Sequence, residues 1–214
     1  MILIACCIGI GAFAYINHQK EIAHQLQQQQ EAERLQKQQE QEVRRAELQT
    51  LFDLYLNDFK TDLAAKAKSY KTSRRVLKDL ISPYNFETPA FAKENYTMFQ
   101  TQIAPSLRAQ AADIIGIFEA YNQKLNDNLK SEDSELILTF STQWKKMTKE
   151  HLKTYVDFFT REEEMLQAYD ALITFYYTHS KRYKVDIENN VFLFKNDNEK
   201  AQEIKLKNAL KPSR

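Results

Sequence analysis

The sequence predicts an all-α protein: an elongated antiparallel bundle of three long helices plus a short C-terminal helix. Three observations carry this. Large residues recur every three or four positions from Leu136 to Tyr183, by way of Phe140, Trp144, Met147, Phe158, Met165, Leu172 and Tyr176, which puts them on one face of a helix. Only 3 glycines and 4 prolines occur in 214 residues, and the β-branched runs and turn clusters of an all-β protein are missing. A helix over 136–183 reaches roughly 70 Å at 1.5 Å per residue, too long for a compact globule of this chain, so long helices must lie alongside it.

Taken in order, residues 1–17 open with MILIACCIGIGAFAYI, an uncharged apolar run read as a single membrane anchor. It spans about 24 Å, and flanking residues that snorkel, or a thinned bilayer, make up the rest of the hydrocarbon thickness. Rival readings are a lipoprotein lipidated at Cys6, since Leu3, Ile4, Ala5 and Cys6 resemble a lipoprotein box, and a buried N-terminal core helix. A cleaved signal peptide lacks its basic n-region and small-residue cleavage site. Few charges flank the run, so orientation rests on the precedent of short anchors leading into coiled helices. That precedent puts a single-pass protein in a bacterial envelope with its body outside the cytoplasm.

Residues 18–47 form a Gln/Glu-rich helical spacer, built from good helix formers with acid-to-base pairs such as Glu33 with Lys37 and Glu40 with Arg44. Its apolar residues, Ile22, Leu26, Leu35 and Val43, keep no continuous coiled-coil seam, so a solvated spacer is preferred to an oligomerising coil. Residues 48–214 are the helical-bundle domain. Its first helix runs on from the spacer through Leu48, Phe52, Tyr55, Phe59, Leu63, Tyr70, Leu77 and Leu80.

Residues 82–88 form a turn at Pro83, with Tyr84 and Phe86 folding back onto the bundle end. Thr88 then caps a second helix that has Pro89 at its first position. That helix extends to about Asn128, buries a stripe from Phe91 to Leu125, kinks at Pro105 and uses Gly116 for close helix approach. Ser131 caps the third helix. Asn189 and Asn190 end the pattern, 191–194 is a short apolar patch, either extended or packed across the bundle end, and a last helix starts near Asn196 or Asp197 and stops before Pro212.

The chemistry is mostly a set of exclusions. A net charge of +1 with interspersed signs offers no field for nucleic acid. The only cysteines are Cys6 and Cys7, so neither a disulfide nor a cysteine zinc site holds the body, and a phosphate loop, a G-x-S-x-G turn and an H-E-x-x-H motif are all lacking. The protein is therefore expected to be non-catalytic and cofactor-free, and to act by protein contact or self-association.

Two groups of residues depart from plain core or plain surface. His151, Tyr155, Glu162, Tyr169 and His179 put polar groups on the long aromatic stripe, either as a ligand pocket or as satisfied core residues. Lys68, Lys71, Arg74, Arg75 and Lys78 are the densest basic cluster, either a solvated face or a contact for an acidic partner or lipid headgroups.

Overall fold

With no glycine or proline between Gly11 and Pro83, nothing interrupts α1 (Ile2–Arg74) of the computed structural model. The structure describes residues 20–211 in full, and before them only the helical backbone from Ile2. The apolar run 1–17 and the lipidation candidate Cys6 thus lie outside the residues whose side chains are described. Among the described residues, no helix is long and apolar enough to cross a membrane.

The chain is predominantly helical. After α1 come α2 (Val76–Leu80), a 3-10 turn at Pro83–Phe86, α3 (Pro89–Met98), a π-helical turn at Phe99–Ile103, α4 (Ala104–Leu129) and α5 (Ser134–Thr178). A two-stranded antiparallel sheet follows, β1 (Tyr183–Asp186) with β2 (Val191–Phe194), and then α6 (Asp197–Ala209).

Two compact units divide the chain, Met1–Tyr55 and Leu56–Arg214. In the first, Ile22, Leu26, Leu35 and Val43 are all exposed. Its helix carries local pairs, with Gln36 donating to Glu40 at 3.0 Å, Arg44 to Glu47 at 3.0 Å and Gln49 to Asp53 at 3.0 Å. Such pairs are worth a few tenths of a kcal/mol each.

In the second unit, Phe59, about four turns before the end of α1, meets α4 and α5 together. It is 2% exposed and sits edge-on to Phe118 at 5.2 Å, Tyr121 at 5.4 Å and Trp144 at 5.0 Å. Edge-on ring pairs add about 0.5–1.5 kcal/mol each beyond the burial itself. The predicted stripe on α4 is buried at Ile114, Phe118, Tyr121 and Leu125, whereas Phe91 on α3 is exposed.

Several local expectations hold and others need correction. Thr88 caps α3 by accepting from the Phe91 N–H at 3.1 Å, with Pro89 next, and Asn196 caps α6 by accepting from the Asn198 N–H at 2.8 Å. The cap of α5 is Asp133, which accepts from the Glu135 N–H at 2.9 Å, two residues later than the expected Ser131. Pro105 has no N–H, and its ring would collide with a carbonyl of the preceding turn. The backbone meets this with the wider π-helical turn, in which the Ala104 N–H reaches the Phe99 carbonyl.

Gly116 does not mediate close helix approach, because it is exposed and an added Cβ would meet nothing within 4 Å. Gly116→Ala is therefore expected to stabilise the protein by about 0.5–1 kcal/mol through the lost backbone entropy of the unfolded chain, read as a higher urea midpoint.

The third long helix ends at Thr178, five residues short of the expected Tyr183. Tyr183 is buried as predicted, but as the first residue of β1, where it pairs with Phe194. Its hydroxyl donates back to the Tyr176 carbonyl at 3.1 Å. The apolar patch 191–194 is extended, and Phe192 stacks on Tyr176 at 4.0 Å. Asn190 makes the turn with φ of 54°, a left-handed conformation that asparagine tolerates well. Asp186 secures the turn by accepting from the Asn189 backbone and side-chain N–H groups at 3.0 and 2.8 Å.

Candidate functional site

The aromatic stripe of α5 is tightly covered at both ends, by Phe140 and Trp144 on one side and by Leu166 to Tyr176 on the other. Between them the cover opens. Phe158 is 37% exposed and Tyr155 is half-buried. These two rings, with Phe159, line a cleft of about 640 Å³ whose other walls are Ala67, Tyr70, Lys71 and Arg74 of α1 and Ile114 of α4. Thr154, Arg161 and Glu162 complete it.

Glu162 fixes this cleft's wall. Its side chain is 8% exposed, and Oε2 accepts both from the Tyr70 hydroxyl at 3.1 Å and from the Arg74 Nε–H. A buried carboxylate is costly unless paired and hydrogen-bonded, so Glu162 holds Arg74 and Tyr70 where they stand. Arg74 also points an N–H at the Met165 sulfur, 2.8 Å away. The hydrogen bond to Glu162 raises the pKa of Arg74 further. Burial, followed by the Glu162 charge, pushes the Tyr70 phenol well above the usual range. The next residue, Glu163, accepts two N–H groups from Arg108 of α4, both at 2.8 Å, and that contact holds its carboxyl below the ordinary value.

A second concavity, about 690 Å³, shares Lys71 and Arg74 with the first and continues past Arg75, Leu77, Lys78 and Asp79 to Met165, Tyr169 and Leu210. Of the predicted basic cluster, Lys71, Arg74, Arg75 and Lys78 line it, while Lys68 is exposed and lies outside both cavities. Among the described residues, Lys71, Arg75, Lys78 and Arg161 make no ion pair.

The predicted polar group on α5 is thus only partly assembled. Tyr155 and Glu162 share the first cavity, and Tyr169 lines the second, where burial raises its pKa. His151 is exposed. His179 sits at the far end of α5 with its ring 4.4 Å from Phe175 and Nδ1 2.9 Å from the Phe175 carbonyl. The two histidines join neither cavity. Among the described residues, no group of three His, Cys, Asp or Glu side chains could hold a metal ion.

Sequence reasoning missed the pairing of the basic cluster with the aromatic stripe. The usable signal was a lone acid on an apolar stripe, which needs a cation from another helix.

Buried phenols give the unit a pH dependence. Tyr121 donates to Asp62 at 2.6 Å, and burial together with that carboxylate pushes its pKa up to about 12, while Tyr70, Tyr176 and Tyr183 are also raised. An unfolded tyrosine ionises near 10. The unfolded chain therefore releases protons that the native state still holds, so this stability is complete below about pH 10 and is lost as pH rises through the folded value. The urea midpoint is expected to be flat from pH 7 to 9 and to fall above 10, and to fall less steeply in Tyr121→Phe.

Comparison of the chain with family models, curated proteins and solved structures returns no match.

Proposed function

We propose that this chain is a non-catalytic binding protein of the bacterial cell envelope, tethered by residues 1–17 and carrying a helical-bundle body whose ligand site is the cleft between Tyr70, Arg74 and Phe158. The observation that carries this is the gap in cover along α5, where large aromatic rings face open space beside unpaired cations. Apolar side chains left uncovered next to fixed polar groups are the usual make-up of a binding site. The non-catalytic reading is supported by Glu162, the buried carboxylate of the cleft, being already engaged by Arg74 and Tyr70.

The up-down-up bundle is supported by the order of contacts within the second unit. Along α1, Phe59 meets Trp144 and Tyr70 meets Phe159, so numbers rise together on α1 and α5. On α4 they fall, with Phe118 against Tyr155 and Arg108 against Glu163. The tether is supported by the uncharged run MILIACCIGIGAFAYI, and the spacer role of 18–47 by its solvated helix.

A second reading, a scaffold for a protein partner or a second copy, is favoured by a different surface. Ile187, Val191 and Leu193 on the β-hairpin and Ile204 on α6 are all exposed. A photoreactive phenylalanine analogue placed at Phe158, and separately at Leu193, distinguishes the two in membranes of cells expressing the full chain. A low-mass adduct formed from position 158 supports the cleft as the site. A protein-sized adduct from 193, with none from 158, moves the function to the hairpin face.

A further inference from the structure

We infer that the cleft takes a single-chain amphipathic anion, a long-chain carboxylate being the simplest member, with its acidic head between Lys71 and Arg161 and its hydrocarbon chain against Tyr70, Phe158 and Phe159. This deepens the ligand-binding reading above and rests on it.

The lining divides into two chemistries. The floor is aromatic and apolar, with Phe158 leaning at 5.1 Å on Phe159, which in turn meets Tyr70 at 5.1 Å. Phe158 is 37% exposed and Phe159 half-buried, while Tyr70 lies deeper at 4%, so part of this aromatic lining is open to a flexible hydrocarbon chain. The rim is cationic. Three positive side chains line the cleft against one carboxylate, and that carboxylate is already neutralised by Arg74. Lys71 and Arg161 have no ion-pair partner among the described residues, so their charge faces the opening uncompensated. An anion arriving there gains charge-assisted hydrogen bonds without having to break an existing pair.

Size and charge narrow the class. About 640 Å³ is within the range of small-ligand sites. A neutral hydrocarbon would leave the two cations unmatched, and a small inorganic anion would leave the rings uncovered. Both ends of the site are satisfied together only by a molecule with one charged end and one apolar body. Lys71 also lines the second cavity, where Arg75 and Lys78 lie further along, so a larger head group than a carboxylate has room to extend.

The test uses the full chain in phosphatidylcholine nanodiscs with a diazirine-bearing C16 fatty acid. After irradiation, label is mapped by mass spectrometry, with palmitate, cetyl alcohol and inorganic phosphate as competitors. The expected result is label concentrated on the peptides bearing Tyr70 and Phe158–Phe159. Palmitate should suppress it at least ten-fold, while cetyl alcohol and phosphate leave it nearly unchanged.

Lys71→Glu and Arg161→Glu, both at exposed positions, should each lower cleft labelling at least five-fold with an unchanged circular dichroism spectrum. Lys71→Ala should give an intermediate loss should either reversal disturb folding. Cetyl alcohol competing as well as palmitate would overturn the assignment of an anionic head, and label spread evenly over the chain would overturn the site. Replacing a fifth of the lipid by phosphatidylglycerol separates the sources: loss of label there assigns the site to the bilayer's own anionic lipid and overturns the single-chain ligand. If the fatty acid fails while the photoreactive group at 158 still captures a small molecule, only the chemical class is wrong. If both fail, the ligand-binding reading falls with it.

Discussion

Replacing Arg74 by methionine is expected to destabilise the second unit by about 3–5 kcal/mol, more than replacing Glu162 by glutamine, which should cost about 1–2 kcal/mol. The asymmetry follows from where the two charges sit. The Glu162 side chain is 8% exposed and the Arg74 side chain 35%. Without Arg74, a carboxylate stays inside the protein with the Tyr70 hydroxyl as its remaining donor among the described residues. Without the carboxylate, Arg74 can turn its guanidinium to water. Glutamine at 162 also keeps an oxygen for Tyr70. Replacing both, as Arg74→Met with Glu162→Leu, should fall within about 1.5 kcal/mol of the parent, because a packed apolar pair needs no compensation. With Glu162→Leu added as the matching single variant the cycle closes, and the double loss is expected to fall short of the summed single losses by at least about 2.5 kcal/mol. Trp144 is the chain's single tryptophan and is buried in this unit, so its fluorescence during urea unfolding reports on the unit directly. If Arg74→Met proves no more damaging than Glu162→Gln, the pair behaves as a solvated surface bridge and the wall of the cleft is not fixed by it.

The same pair shows what could be read from the residues alone. Spacing of three and four along one chain places Glu162 on the apolar stripe of α5 and places Arg74 among neighbouring cations on α1. Nothing in either local pattern joins them, since they are 88 residues apart and meet through the packing of two helices. Helix caps at Thr88 and Asn196 were legible because a cap is a contact within three residues.

An extended 191–194 is one of the two readings of that patch, but its partner strand 183–186 was not legible, and the reason is specific. Tyr183 continues the helical phase of Tyr176 and is buried, so periodicity counted its burial as helical when the backbone had already turned at His179. The histidines misled in a similar way. His151 shares the phase of the stripe but lies where its cover opens, so phase alone did not predict burial.

Phe86 and Tyr84 provide the second large contrast, between residues two positions apart in one turn. Phe86→Ala is expected to cost about 3–5 kcal/mol and Tyr84→Ala less than about 0.5 kcal/mol. The sequence suggests that both rings fold back onto the end of the helices. In the structure only Phe86 does. It is 0% exposed, with its ring 4.8 Å from Tyr176 and 5.9 Å from Phe192, whereas Tyr84 is 58% exposed and its ring lies 6.3 Å from that of Phe91, which is also exposed.

Phe86 is the point where the turn after α2, the end of α5 and the hairpin meet. Its neighbour Tyr176 is committed elsewhere too, donating to Glu203 of α6 at 2.8 Å, while Glu203 pairs with Lys207 at 2.6 Å. A cavity at Phe86 would therefore loosen the seat of Phe192 and the attachment of α6 together, and relaxation to fill it would disturb those hydrogen bonds. That places the expected loss in the upper part of the range for a buried phenylalanine. For a unit of this size, the loss corresponds to a fall in melting temperature of roughly 10 °C, against a barely measurable change for Tyr84→Ala. Equal losses for the two variants would mean that the hairpin and α6 do not close over this ring.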